Sequence, residues 1–166
     1  MIVVADTSPL NYLVLIGEAD LLYQLYGRVL IPQAVLSELQ DPGAPSAVVG
    51  WIERRPPWLE VRQVAVRLEE SSQELDVGES EAVALAEENR PDVLLLIDEE
   101  TGRREARRRN IPTTGTLGVL DDAAERSLVD LGAAIQRLRD TNFRASDSLL
   151  EWFIARDRQR KKAETP

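Results

Sequence analysis

Asp6 closes a short apolar run, Ile2-Val3-Val4-Ala5, and Asp98, followed by Glu99 and Glu100, closes a second, Val93-Leu94-Leu95-Leu96-Ile97. Glu38 lies between Leu36 and Leu39 rather than on a solvent-facing run. Glu79 precedes Ala82, Val83 and Ala86 by three, four and seven residues, the spacing of one helix face, while Glu81 points to another side. The chain has no Cys and no His, which excludes thiolate and imidazole nucleophiles, Ser-His-Asp triads, zinc-finger ligation and iron-sulfur clusters. Chemistry here must use oxygen ligands. Two ionised carboxylates ~4 Å apart repel by about 4 kcal/mol at an effective dielectric near 20, so a cluster of four needs a counter-charge. Hard oxygen donors suit Mg²⁺ or Mn²⁺, and such ions activate water and stabilise an oxyanion leaving phosphorus. Phosphodiester hydrolysis is the chemistry these residue types imply.

The elements that must position these acids read as short apolar runs alternating with amphipathic segments, the pattern of a parallel sheet covered by helices. Strands are predicted at Ile2 to Ala5, Val29 to Ile31, Leu59 to Val64, Val93 to Ile97 and near Ile111 to Thr113. The first helix starts after Thr7 or Ser8, with Pro9 in the first turn where a missing N–H costs little. A second carries Leu21, Leu22 and Leu25. A third starts at Pro32 and carries Val35, Leu36 and Leu39 before Asp41-Pro42-Gly43-Ala44-Pro45 turns the chain. Asp76-x-x-Glu79 reads as a loose capping box for a helix running toward Asn89. Further helices are predicted at Gly102 to Asn110, Leu117 to Arg126, Leu131 to Leu138 and Ser146 to Arg158. Asp6 and Asp98 thus sit at carboxyl ends of strands, where open α/β sheets bind ligands if the strands are neighbours.

The length, 166 residues, suits one domain with its own core. A single domain is expected over 1–155, with 156–166 a basic, frayed tail. The net charge of −9 opposes a general nucleic-acid-coating role. Half of the basic residues nevertheless fall in two segments, Arg103, Arg104, Arg107, Arg108 and Arg109, then Arg156, Arg158, Arg160, Lys161 and Lys162. Each is a phosphate-contacting patch or a solvated helix face. Cysteine absence fits a reducing compartment. No basic segment precedes the first apolar run, and no run approaches the ~20 residues that span a bilayer. A cytoplasmic protein with no membrane contact is expected.

Four segments, in order, resemble the motifs of PIN domains. Val3-Val4-Ala5-Asp6-Thr7-Ser8-Pro9-Leu10 resembles the opening strand, its first acid and the hydroxyl that follows. Ile31-Pro32-Gln33-Ala34-Val35-Leu36-Ser37-Glu38-Leu39 resembles the second motif, a helix presenting Glu38. Gly78-Glu79-Ser80-Glu81-Ala82-Val83-Ala84-Leu85-Ala86 resembles the third, helix-borne acid motif, and Leu95-Leu96-Ile97-Asp98-Glu99 the fourth. Arg103, Ala106 and the stretch from Ile111 through Gly115-Thr116-Leu117-Gly118 look like a bacterial and archaeal branch related to VapC-type toxins.

The resemblance implies a three-layer α/β/α fold on a mostly parallel, twisted sheet of about five strands. It implies a ribonuclease in which Asp6 and Asp98 hold Mg²⁺ or Mn²⁺, Glu38 and Glu79 complete the shell or position water, and Glu81 and Glu99 are secondary candidates. The third motif offers Glu79 or Glu81; its helical phase favours Glu79. Thr7, Ser8 and Thr116 read as caps rather than catalysts, each able to hold a carboxylate or a water. The family further implies an RNA substrate (tRNA, rRNA or mRNA), a homodimer and a small antitoxin protein that inserts a basic side chain among the acids. The other use of such a chain is a catalytically silent RNA- or protein-binding module. A phosphoacceptor fits less well, because Lys occurs only at 161 and 162 and position 8 is Ser rather than the second Asp of an Asp-x-Asp pair.

Overall fold

The computed structural model describes residues 1–65 and 74–164. Its strands are β1 (Ile2–Ala5), β2 (Val29–Pro32), β3 (Leu59–Arg62), β4 (Val93–Leu96) and β5 (Thr113–Thr114), in the order β3-β2-β1-β4-β5. All pairings are parallel. With its flanking helices this is the expected three-layer α/β/α class. β1 and β2 read as unbroken apolar runs because both faces of a parallel strand are covered. Val3, Val4 and Ala5 are all buried, as is every residue of β2.

Among the described residues, the helices up to β5 are α1 (Thr7–Leu15), α2 (Leu21–Tyr26), α3 (Gln33–Leu39), α4 (Ser46–Glu53), α5 (Val77–Glu88) and α6 (Glu100–Arg108). Leu21, Leu22 and Leu25 are core residues. α4 has no counterpart among the predicted helices. Its two buried residues, Val48 and Ile52, are one turn apart, but the Pro-Gly-rich turn before it and Gly50 within it mask that signal. α5 is covered almost all round, with Ala82 through Ala86 buried against β1, β2 and β4 in a core that includes Val4, Leu30, Val93, Leu95 and Ile97. Its small side chains let the helix lie close to the sheet.

β1 pairs with β4 in register, Val4 opposite Leu95 and Ala5 opposite Leu96. The chain runs outward from β1 through β2 to β3, then returns to the other side of β1 as β4 and β5. The β1/β4 seam is therefore the topological switch point where a parallel sheet leaves a crevice beyond its carboxyl edge. Asp6 and Asp98 follow these two strands.

The chain divides into two compact units, Met1–Thr116 and Leu117–Pro166. The first holds the sheet. The second is helical, with α7 (Thr116–Glu125) entering it at Leu117, α8 (Leu131–Arg139) and α9 (Asp147–Glu164). Residues 156–164, expected as a basic tail, continue α9 as far as it is described. Acids explain the order. Arg160 donates to the buried Asp121 at 2.7 Å and lies 3.2 Å from the buried Asp157, while Lys161 pairs with Asp157 at 2.9 Å. Basic residues also suit the carboxyl end of a helix dipole. Among the described residues, no helix is long and apolar enough to cross a membrane.

Candidate functional site

Beyond the carboxyl ends of β1 and β4 lies a cavity of about 240 Å³ lined by Asp6, Glu38, Asp76, Glu79 and Glu99, with Thr7, Ser8, Asn11 and Tyr12. Four of the six acids singled out from the sequence meet there. Each is delivered by a different element: Asp6 by the end of β1, Glu38 by α3, Glu79 by the first turn of α5, and Glu99 by the residue before α6.

Asp6 occupies the N-cap position of α1 yet makes no side-chain capping hydrogen bond. Its backbone N–H donates to Leu96 across the β1/β4 seam at 2.9 Å, which fixes the residue at the sheet edge. The side chain is buried, 3% exposed, and Oδ1 has no hydrogen-bond partner. Burial pushes its carboxyl up to about 8, with Asp76, Glu79 and Glu38 adding like charge against the opposing effect of the Thr7 backbone N–H. A helix cap would instead spend that oxygen on a backbone N–H.

Glu79 is also buried, 4% exposed. It completes the predicted capping box: its backbone N–H donates to Asp76 Oδ1 at 2.8 Å, and its own carboxylate accepts the Asp76 N–H at 3.2 Å. Burial, then the neighbouring Asp76, pushes Glu79 up to about 6. Glu79 therefore both caps α5 and lines the cavity. Asp76 joins the site as a further acid that the sequence reading treated only as a cap; nothing in a capping box distinguishes the two uses.

Glu38 and Glu81 cross-brace α3 and α5. Glu38 accepts the Gly78 N–H, in the first turn of α5, at 3.1 Å and a hydrogen bond from the Thr7 hydroxyl. Glu81 of α5 accepts the Ala34 N–H, in the first turn of α3, at 2.9 Å. Each helix thus places a carboxylate on the start of the other, where exposed N–H groups and the dipole favour negative charge. Glu81 is committed to that contact and does not line the cavity.

Asp98 is held by three donors: the Thr116 N–H on Oδ1 at 2.7 Å, the Thr116 hydroxyl on Oδ2 at 2.7 Å, and the Ser8 hydroxyl on Oδ2 at 2.8 Å. Thr7, Ser8 and Thr116 are thus holders of carboxylates. Asp98 is tied to the cavity wall through Ser8 but is not itself part of the lining. Two glycines permit the close approaches. A Cβ on Gly78 would stand 2.5 and 2.6 Å from the Glu38 oxygens, and one on Gly115 would stand 2.7 Å from Asp98 Oδ1.

The donor set fits a hard divalent cation. It is all oxygen, it carries like charges packed together, and it contains a buried carboxylate oxygen with no partner. Among the described residues, no three acids stand close enough to hold such an ion as they are placed. Asp6, Glu38 and Glu79 line the cavity that such an ion would enter, and Asp98 is tied to that cavity through Ser8 from outside the lining.

A family model described as a PIN domain matches residues 2–159, a span containing every acid above and all five strands. No curated protein and no solved structure matches the chain significantly. The likeness carried by four short acidic motifs therefore extends over nearly the whole sequence, and the chain belongs to the PIN-domain family, a class of nuclease-type hydrolases.

Proposed function

We propose that the protein is a divalent-metal-dependent endoribonuclease and the toxin of a toxin-antitoxin pair. The observation that carries the reading is Asp6: a buried carboxylate with a partnerless oxygen, facing Glu38, Asp76 and Glu79 at a sheet's switch point. No folding role calls for that arrangement, since it costs stability, whereas a bound cation offsets the cost.

When bound, Mg²⁺ or Mn²⁺ supplies positive charge for the phosphodiester and its attacking water. The chain's own groups do the rest. Asp6 and Asp98 anchor the site on two neighbouring strands, with Ser8 and Thr116 fixing the orientation of Asp98. Glu38 is held by Thr7 and Gly78. Glu79, whose carboxyl burial and Asp76 raise to about 6 in the metal-free chain, lines the cavity, where it would complete the ion's shell or position the attacking water. Glu99 lines the same cavity. A homodimer, a small antitoxin and a cytoplasmic location belong to the same reading.

The test is cleavage of a tRNA, rRNA and single-stranded RNA panel in Mg²⁺ or Mn²⁺ by partner-free protein, wild type against Asp6→Asn. Cutting that vanishes in EDTA and in the variant is expected. Cutting that persists in both counts against the reading. The silent-module alternative draws on the three donors that occupy Asp98 and its place outside the cavity lining. It predicts metal-dependent thermal stabilisation and RNA binding without product.

A further inference from the structure

Five arginines lie in or directly after α6, and four of them are matched by acids of the protein. Arg104 pairs with Glu74, Arg107 with Glu100, Arg108 with Glu105 at 2.9 Å, and Arg109 with both Glu87 and Glu105. The solvated-face reading of this basic segment therefore accounts for those four. Arg103 is different. Among the described residues its guanidinium has no ion pair, and its Nε is buried without a hydrogen-bond partner.

Its position is informative. The point that a Cβ on Gly115 would occupy lies 3.7 Å from Arg103 Nη1 and 2.7 Å from Asp98 Oδ1. The guanidinium therefore stands beside the carboxylate at the end of β4, next to the acidic cavity, yet forms no salt bridge with it. The preceding residue, Gly102, borders Glu79: a Cβ there would lie 3.7 Å from Glu79 Oε1. Among the described residues the charged side chains that line the cavity are all acids, so a polyanion reaching this crevice meets no basic group in its lining. An unmatched guanidinium at its edge presents parallel N–H groups that suit the oxygens of a phosphodiester, and it stays charged at any working pH.

We propose that Arg103 is a substrate-binding residue that grips a backbone phosphate of the bound RNA beside Asp98. The proposal rests on the nuclease reading for its ligand, but its test does not need cleavage. Single-stranded RNA binding is measured by fluorescence anisotropy across a salt series with Asp6→Asn protein, then with Arg103→Gln and Arg103→Lys added to it. The Gln variant is expected to weaken binding and to flatten the slope of log K against log salt by roughly 0.7, the single-strand value for one phosphate contact. The Lys variant is expected to restore the slope. Calorimetric Mn²⁺ binding to the single Arg103→Gln protein is expected to match wild type.

An unchanged slope overturns the proposal. Weakened Mn²⁺ binding with an unchanged slope also overturns it, and makes Arg103 a support for Asp98 instead. Failure of both wild type and Asp6→Asn to bind RNA overturns it together with the nuclease reading. The expected change in slope with no cutting by wild type supports Arg103 as a phosphate contact and rejects the nuclease reading alone.

Discussion

Replacing Asp6 by Asn should stabilise the fold in the absence of divalent metal, and the gain should grow with pH. With an unfolded value of 3.8 and a folded value of about 8, the unfolded chain holds fewer protons than the native one at every pH between them. Stability therefore falls as pH rises through that window. The penalty is nil below pH 4, grows by about 1.4 kcal/mol per unit, and reaches about 4 kcal/mol at pH 7 as an upper bound. Asn carries no such term, and its amide can donate to the carboxylates that surround position 6. Glu79 titrates in both proteins and largely drops out of their difference. Urea unfolding in EDTA, followed by the fluorescence of Trp51, Trp58 and Trp152, measures that difference at pH 5, 6 and 7. It should widen by up to about 3 kcal/mol over this interval. A difference that stays level with pH would show that Asp6 is ionised throughout, and the reasoning from its burial would be wrong.

Added Mn²⁺ should raise the melting temperature of wild type at pH 7 and leave Asp6→Asn nearly unmoved; equal shifts in thermal scans would place the ion elsewhere. Gly78→Ala should displace Glu38 and cost about 1–3 kcal/mol of overpacking, seen in urea midpoints together with weaker Mn²⁺ binding, whereas intact metal affinity would show that Glu38 is dispensable. Gly115→Ala should do the same through Asp98, with a similar cost of about 1–3 kcal/mol. Glu81→Gln weakens a contact at the start of α3 and should cost about 1 kcal/mol with full cleavage retained. Loss of cleavage by that folded variant would return Glu81 to the catalytic set.

The sheet was largely legible because a parallel strand buried on both faces leaves an unbroken apolar run, as β1, β2 and β4 do. The acids were legible because they stand at the ends of those runs or in phase with a buried helix face. Other features depend on distant partners. Ser8 reaches Asp98 across 90 positions and Gly78 reaches Glu38 across 40, so no local pattern shows which hydroxyl or amide holds which acid. Glu79 and Glu81 differ only in phase, and the separation of their roles follows from where α3 packs. The basic residues at the end of α9 pair with Asp157 within the same helix and with Asp121 on α7, partners that the basic run does not itself reveal.

The reciprocal contacts of Glu38 with Gly78 and of Glu81 with Ala34 join α3 and α5 at both of their first turns. Neither amide can reach solvent unless a carboxylate on the other helix lets go. Fraying, which ordinarily begins independently at each helix start, here becomes a shared event. The Gly78 and Ala34 amides should then exchange with deuterium at similar rates, slower than helix ends usually do, as two reporters of one opening. Glu38 would thus gain its rigidity from a pair of helices that loosen together.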